Sequence, residues 1–369
     1  MRGLYIHVPF CVRKCAYCDF YSLPERLDLL DAYVSAVLQE AESYNGLFFH
    51  TLYLGGGTPS LLGDERLRRL VGGLRCAVDL SDLVEATIEV NPESASVELL
   101  QAAMDVGINR VSIGVQSLSD RELERVGRVH TVSEAIETIV RTRKIGFRNV
   151  SADVIVGLPG QEWATLRPTL ETLTGLGINH LSLYCLLLEQ GMPLAVNPPD
   201  DLPSDDAQAE LFEQAREFLG DCEFNHYEIS NFALSGHECC HNLNYWRGGE
   251  YLGLGPAAFS HLQGKRFNNS ANLEAYIQNP TGLVEEVEEL EASGKAIEEA
   301  MLRLRLLSEG LVGDELIKQY GRANTWELIR RLDVMVAEGL LTFEGSTYRL
   351  ARSRVLTSNP IFARVLGGG

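Results

Sequence analysis

Short apolar segments rich in β-branched residues recur along the first part of the chain. They lie at residues 4–8, 51–54, 86–90, 110–115, 150–156 and 180–188. Between and after them, apolar residues recur with a helical period at residues 27–43, 65–78, 97–106, 133–145, 163–176 and 205–219. Strands that alternate with helices predict a parallel sheet covered by helices. Because these units are fewer than the eight of a closed barrel, the pattern predicts an α/β fold with a partial, open (β/α)6 barrel.

The alternation ends near residue 225. Residues 226–285 are rich in Gly, His and aromatic side chains without a clear period, which predicts an irregular segment that lines a functional site. Helical patterns return at residues 296–307, 313–320 and 325–338, followed by a hairpin with Gly345 at its turn. We therefore predict three parts: a barrel over 1–225, the irregular segment over 226–285 and a small α+β, winged-helix-like domain over 286–369.

The charge of the chain argues against nucleic acid as a partner. The formal net charge is −19, and residues 295–369 carry 11 Lys and Arg against 9 Asp and Glu, a net of +2. Phosphate contacts need clustered cations, so we expect the C-terminal domain to pack or to bind a protein instead.

The start of the chain lacks a signal-peptide pattern, and the longest apolar run, at residues 183–188, is too short for a membrane span. We expect a cytoplasmic protein.

Three of the eight cysteines, Cys11, Cys15 and Cys18, follow the first predicted strand at C-x3-C-x2-C spacing. This spacing lets three thiolates converge on one metal centre. A structural zinc site is the alternative, but such a site is closed by four protein ligands. Three soft thiolates without a nearby fourth favour a [4Fe–4S] cluster with one open iron. We expect core thiols at Cys76, Cys185 and Cys222, and leave a ligand role open for Cys239 and Cys240.

Polar and Gly-rich groups follow the later predicted strands. The stretch GGGTPS, residues 55–60, follows the second strand, where its N–H groups can approach a carboxylate or a ribose. Four further side chains lie at or after strand ends: Glu89, Gln116, Arg128 and Asp153. Each alone could be a hydrogen-bonded core residue, and GGGTPS could be only a tight turn. Because parallel strands end at one face of the sheet, the groups together predict one pocket.

The stretch CVRKCAYC resembles the signature of the radical S-adenosylmethionine (SAM) superfamily. The resemblance implies that SAM completes the open iron through its amino and carboxylate groups. It implies that the reduced cluster can cleave the SAM C–S bond to release a 5′-deoxyadenosyl radical. It further implies SAM or pocket contacts at Gly56, Glu89, Gln116, Arg128 and Asp153.

The whole chain resembles the coproporphyrinogen-oxidase-like branch, which contains oxygen-independent coproporphyrinogen III oxidases and HemW-type heme chaperones. The resemblance implies that Tyr5 stacks near the sulfonium of SAM. It also implies that Tyr17, Gly57 and Thr58 match positions that hold a second SAM in the oxidases. Two differences separate the chain from the oxidases: Phe20 stands where they have a further cysteine, and Tyr5 lies near the start codon, where they have a long N-terminal arm.

The stretch HNLNYW, residues 241–246, resembles the HNxxYW motif of the chaperones, whose histidine is associated with heme. The resemblance implies that His241 holds the heme iron, with Tyr245 and Trp246 beside the porphyrin. A polar turn with aromatic side chains in the core is the structural alternative. Relatives commonly read GPGAHS further on, whereas this chain reads GPAAFSH, with Phe259 at the histidine position and His261 two residues later.

Three functions follow as hypotheses. The first is a heme chaperone that binds heme, a [4Fe–4S] cluster and SAM, and passes heme to an acceptor protein, whose identity and membrane association stay open. The second is a radical SAM enzyme, either a coproporphyrinogen III decarboxylase or a class C-type methyltransferase. The third is a cluster-dependent scaffold without either activity. Because Phe20 weighs against the decarboxylase and HNLNYW weighs for heme, the chaperone is the leading interpretation, without an assigned catalytic residue.

Overall fold

The first part of the chain alternates between strands and helices, as the sequence predicts. The computed structural model describes residues 1–24, 26–282 and 284–367. Its first elements are β1 (Arg2–Val8), β2 (Phe10–Cys11), β3 (Leu23–Pro24), α1 (Leu30–Glu42), β4 (Thr51–Gly56), α2 (Gly63–Ala77), β5 (Glu85–Val90), α3 (Val97–Asp105), β6 (Arg110–Gln116), α4 (Asp120–Arg125), α5 (Val132–Ile145), β7 (Asn149–Val156), α6 (Trp163–Gly175), β8 (His180–Cys185), α7 (Pro193–Val196) and α8 (Asp205–Asp221). Each predicted strand and helix of the barrel is present, with ends shifted by up to three residues.

The remaining elements divide into two groups. The first group is β9 (Asn225–His226), β10 (Asn231–Ala233), α9 (Cys240–Trp246), β11 (Glu250–Leu254), β12 (Phe259–Leu262), β13 (Lys265–Asn269), α10 (Leu273–Gln278) and β14 (Val284–Glu289). The second group is α11 (Ala292–Arg303), β15 (Leu311–Val312), α12 (Gly313–Tyr320), α13 (Arg322–Ala337), β16 (Leu341–Glu344), β17 (Thr347–Leu350) and α14 (Ser358–Leu366).

The main sheet is long and open. Its strand order in the described residues is β14-β13-β12-β11-β1-β4-β5-β6-β7-β8-β10-β9. The strands β1, β4, β5, β6, β7 and β8 are parallel neighbours, and the strands beyond β8 and beyond β11 run antiparallel to their neighbours. The six parallel strands carry the six strand–helix units, which confirms the predicted partial (β/α)6 barrel. Their carboxyl ends therefore meet at one face.

Helix caps and buried apolar side chains explain why these segments form helices and strands. Thr131 caps α5 through a capping box with Glu134, and Gly146 ends that helix with φ of 119°. In β1, the side chains of Leu4 and Ile6 point to one face of the strand and are fully buried. Each such buried side chain contributes about 1.5–3 kcal/mol. The barrel is thus a rigid support for the loops at its carboxyl face.

Residues 226–285 are more regular than predicted. HNLNYW forms helix α9, and β11 extends the sheet in parallel with β1, with Tyr5 opposite Gly253. The helix has seven residues and β12 has four, which is too short for a period to be visible in the sequence. The expected irregular segment is therefore a continuation of the barrel sheet.

The C-terminal residues form a separate winged-helix-like unit, which confirms that part of the predicted fold. Helices α11, α12 and α13 pack beside a small sheet of order β15-β17-β16. The first helix begins at Ala292 and ends at Arg303, four residues earlier than predicted at each end. This unit has its own buried apolar cluster, which supports the domain boundary near residue 286 that we propose.

Candidate functional site

The three clustered cysteines line one cavity of about 340 Å³ at the carboxyl face of the barrel. Cys11 ends β2, and the Cys18 N–H donates to the Cys15 carbonyl at 3.2 Å in the turn that follows. The Ala16 N–H donates to the Val126 carbonyl at 3.1 Å, which fastens this loop to the segment after α4. In the part of the chain that the structure describes, no three His, Cys, Asp or Glu side chains form a group for a single metal ion.

Two hydrogen-bond donors point at the cysteine sulfurs. The Thr58 hydroxyl donates to Cys11 Sγ at 3.5 Å, and the Arg128 guanidinium donates to Cys15 Sγ at 3.6 Å. Asn91 connects the two donors, because its Nδ2 donates to Thr58 Oγ1 at 3.1 Å and its Oδ1 accepts from Arg128 at 2.9 Å. Such donors stabilise thiolate charge and fit the donor set of an iron–sulfur cluster.

The Gly-rich turn after β4 touches the backbone that leads into the cysteine loop. The Gly57 N–H donates to the Val8 carbonyl at 2.9 Å, and the Thr58 N–H donates to the Phe10 carbonyl at 2.7 Å. A Cβ atom on Gly57 would lie 2.6 Å from the Phe10 carbonyl oxygen and 2.9 Å from that of Val8. Only glycine lets the two segments approach this closely.

We expect Gly57→Ala to displace the cysteine loop and to lower the free energy of unfolding by about 1–3 kcal/mol, because the added methyl group meets rigid backbone. Gly72 on α2 has open space around its Cβ position, so Gly72→Ala should be neutral or stabilising by up to about 1 kcal/mol. Chemical denaturation and the iron content after reconstitution measure both effects. Equal stability and equal iron content in the two variants would contradict the tight contact.

The predicted strand-end residues come together in this cavity. Its lining includes Cys11, Cys15, Tyr17, Cys18, Gly56, Gly57, Thr58, Glu89, Gln116, Arg128 and Asp153. Gln116 at the end of β6 has φ of 65°, an uncommon conformation for a residue with a side chain, of the kind that collects at functional sites. The lining also contains residues that were not predicted from the sequence, among them Asn91, Tyr184, Leu186 and Met192, and it contains Cys185, which was expected in the core. Asn91 could have been found as a polar residue directly after a strand.

Two carboxyl groups in the cavity have raised pKa values. Glu89 accepts from the Tyr53 hydroxyl at 2.7 Å and from the Gly56 N–H at 3.2 Å, and burial raises the pKa of Glu89 to about 7. Burial also raises the pKa of Asp153, which accepts from the Ser112 hydroxyl at 3.3 Å. A cationic ligand in the cavity would favour the ionised form of both carboxyl groups.

A second cavity, of about 490 Å³, adjoins the first, because Asp19 and Phe20 line both. Its walls are mainly aromatic: Tyr5, Phe20, Tyr21, Tyr245, Trp246, Tyr251 and Phe259. Arg266 from β13 and Leu302 from α11 complete part of the lining. This cavity thus lies between the extended sheet and the C-terminal unit.

Tyr5 lies on the second cavity and is not among the residues that line the first. Its hydroxyl shares a hydrogen bond of 3.0 Å with His7 Nδ1, and its ring centroid is 6.2 Å from that of Tyr53. Tyr53 in turn donates a hydrogen bond to Glu89, so the ring of Tyr53 lies between Tyr5 and this predicted SAM contact. The contact between Tyr5 and the sulfonium stays a prediction.

His241 is buried and lines neither cavity. Its Nδ1 shares a hydrogen bond of 2.8 Å with Thr51 Oγ1, and its Nε2 shares one of 2.9 Å with the Tyr245 hydroxyl. Burial lowers the pKa of His241 to about 3, so the imidazole is neutral. Both ring nitrogens are engaged in these hydrogen bonds, and a role of His241 as a heme ligand stays a prediction.

The residues around His241 explain its position. Glu85 accepts hydrogen bonds from the backbone N–H groups of Cys240 and His241, each at 2.9 Å, and so holds the first turn of α9 against β5. The ring of His241 stacks on Tyr53 with centroids 5.1 Å apart. Cys239 is buried with its Sγ 3.4 Å from Glu85, so it points into the core.

The chain resembles known proteins over its full length. A family model described as the radical SAM superfamily matches residues 5–173. The chain is 33% identical to the heme chaperone HemW of Bacillus subtilis (strain 168), with 100% of both chains covered. It is 35% identical to the heme chaperone HemW of Escherichia coli (strain K12), with 92% of this chain and 91% of that protein covered.

The fold also matches a solved structure. The coproporphyrinogen III oxidase (HemN) from Escherichia coli, described as a radical SAM enzyme, superposes with a TM-score of 0.87. The superposition covers 99% of this chain and 89% of the oxidase, with 22% sequence identity. At this identity the likeness establishes the fold and leaves the activity to other evidence.

Proposed function

We propose a function for this chain from one premise: it belongs to the HemW family of radical SAM proteins. Its cofactors are a [4Fe–4S] cluster and SAM. On the same premise it is a heme chaperone, which binds heme and passes it to an acceptor protein. The observation that carries this conclusion is the 33% identity with a heme chaperone over the full length of both chains.

Cys11, Cys15 and Cys18 hold the cluster in this proposal. When bound, the cluster supplies an open iron for SAM and one electron for its C–S bond. Thr58 and Arg128 stabilise the negative charge on two of the sulfurs through the hydrogen bonds described above.

SAM occupies the first cavity in this proposal. SAM carries a cationic sulfonium, a cationic amino group and a carboxylate, and the cavity offers charges of both signs. Glu89 and Asp153 are the candidate partners of the cations, and Arg128 is the candidate partner of the carboxylate. Tyr17, Gly56, Gly57, Thr58 and Gln116 also line this cavity and are further candidate contacts of SAM.

We expect SAM affinity to rise with pH through about 7. Glu89 has a pKa raised to about 7 by burial, so below this value it is protonated and must lose a proton before it can pair with a cation. The slope is at most about tenfold per pH unit for one proton. Equilibrium SAM binding to the wild type and to Glu89→Gln at pH 6 and pH 8 is the measurement. A slope that survives in Glu89→Gln would show that another group is responsible.

The proposal extends to the partner of this chain and to the compartment in which it acts. Among the described residues, no helix has both the length and the apolar character needed to cross a membrane. We propose that the chain acts in the cytoplasm on a heme-acceptor protein, and that nucleic acid is not a partner, because its C-terminal residues carry little excess of cations.

The function is tested by a heme titration under anaerobic conditions with the reconstituted cluster. We expect one heme per chain in the absorption spectrum and little 5′-deoxyadenosine in a parallel assay with SAM and a reductant. The same preparation is then given coproporphyrinogen III. No catalytic protoporphyrinogen is expected, because Phe20, whose side chain is 60% exposed beside both cavities, stands where the oxidases have a cysteine. Catalytic turnover without heme binding would replace the chaperone by an enzyme.

A further inference from the structure

The second cavity has the shape and surface of a site for a flat, aromatic ligand. Aromatic side chains from β1, the cysteine loop, α9, β11 and β12 face one space. Two of them, Phe20 and Phe259, are 60% and 63% exposed and add open apolar surface to this aromatic lining. Rings of this kind pack well against a macrocycle.

Arg266 gives this apolar cavity a cationic group. Among the described lining residues, His7 is the other side chain that could carry a positive charge. Burial lowers the pKa of His7 and so favours its neutral form. Arg266 donates to the Tyr251 hydroxyl at 3.1 Å. Its Nε lies 2.8 Å from Glu298 Oε1 on α11, and the two side chains are 27% and 22% exposed. The guanidinium can therefore reach both the cavity and solvent.

We propose that heme occupies the second cavity and that one heme propionate takes the place of Glu298 on Arg266. The proposal rests on the heme-binding function proposed above and assigns that function a site. Propionate and Glu298 are both carboxylates, so the guanidinium exchanges one anionic partner for another without leaving its charge unpaired. Glu298 is released toward solvent at the surface of α11.

The position of the cavity suits a protein that must both hold and release heme. Leu302, one helical turn after Glu298 on α11, lines the cavity, so the C-terminal unit forms part of the wall. Release of Glu298 from Arg266 removes one polar link between α11 and β13. Heme binding is thus coupled to the contact between the C-terminal unit and the barrel.

The exchange predicts opposite effects for the two members of the ion pair. Arg266→Gln removes the propionate partner and should weaken heme binding by about tenfold or more. Glu298→Gln removes the competing carboxylate and should strengthen heme binding. If the pair only fastened α11 to the sheet, both variants would break the same contact and would change affinity in the same direction.

The experiment is an anaerobic titration of the full-length protein with heme, protoporphyrin IX and protoporphyrin IX dimethyl ester. The dimethyl ester keeps the macrocycle but lacks carboxylates, so it should bind the wild type about tenfold or more weakly than protoporphyrin IX. Arg266→Gln should abolish that difference. Arg364→Gln, which breaks an exposed ion pair with Glu338 in the C-terminal unit, is the matched control and should bind as the wild type does.

The outcomes separate the site from the function. A wild type that binds no heme would overturn both. Heme binding by the wild type with equal or parallel changes in Arg266→Gln and Glu298→Gln would overturn the site and leave the chaperone function intact. If a variant fails to fold, the comparison of protoporphyrin IX with its dimethyl ester on the wild type decides, because equal affinities would exclude a carboxylate contact.

Discussion

Cys15→Ala is expected to lose the [4Fe–4S] cluster completely. Cys15 lies on the short loop with Cys11 and Cys18, and its Sγ accepts a hydrogen bond from the Arg128 guanidinium. A cubane cluster with two protein thiolates has two open irons and lacks the support that the loop gives a three-thiolate site. Iron and sulfide content and the visible absorption of anaerobically reconstituted protein measure the loss.

Cys185→Ala is the matched control for this substitution. Cys185 also lines the first cavity, but it ends β8 and lies outside the cysteine loop. Its removal should leave iron and sulfide at the wild-type level, which distinguishes a ligand from a neighbouring thiol. A full complement of iron and sulfide in Cys15→Ala would refute the ligand assignment, and loss of iron in Cys185→Ala would point to a fourth protein ligand.

His241→Ala is expected to destabilise the protein by about 2–4 kcal/mol. The substitution empties a buried space beside Tyr53 and removes the hydrogen bonds to Thr51 and Tyr245. His50→Ala is the control, because His50 is only half-buried and its ring accepts from the Arg2 N–H at 3.0 Å near the surface. Denaturant titrations of the two variants give the difference directly.

The heme spectrum of the same variant separates two roles for His241. We propose that His241 is a positioning residue, which orients Tyr245 on the wall of the second cavity. Heme affinity should then fall in His241→Ala and in Tyr245→Phe, while the Soret band stays at its wild-type position. A shifted Soret band in a folded His241→Ala protein would instead establish His241 as an iron ligand, which requires the ring to leave both of its present hydrogen bonds.

The barrel could be predicted from the sequence because its signals are local. Six strand–helix units repeat with strong periodicity, and α5 even carries its capping box at Thr131 and Glu134. The carboxyl ends of β5 and β6 then determine where Glu89 and Gln116 meet, since parallel strands end at one face, whereas Asp153 lies inside β7. Much of the first cavity therefore followed from topology alone.

The second cavity could be predicted only in part: Tyr245 and Trp246 were expected beside a porphyrin, but most of the other lining residues are brought together by long-range contacts. Tyr5 from β1, Tyr245 from α9, Arg266 from β13 and Leu302 from α11 meet after the sheet has extended beyond the barrel. Their elements are too short to show a period, and the pairing of β11 with β1 is not visible in either segment. The same pairing brings Tyr5 and Tyr245 to one cavity.

Transfer of heme to an acceptor is the decisive test of the proposed chaperone function. The reconstituted protein is loaded with one equivalent of heme and mixed anaerobically with a heme-free globin, while absorption reports the heme-loaded globin. We expect transfer at a rate set by the chaperone, with full occupancy of the acceptor and with little 5′-deoxyadenosine formed in the presence of SAM. A wild-type protein that takes up no heme, or that holds heme without passing it on, would contradict a chaperone function.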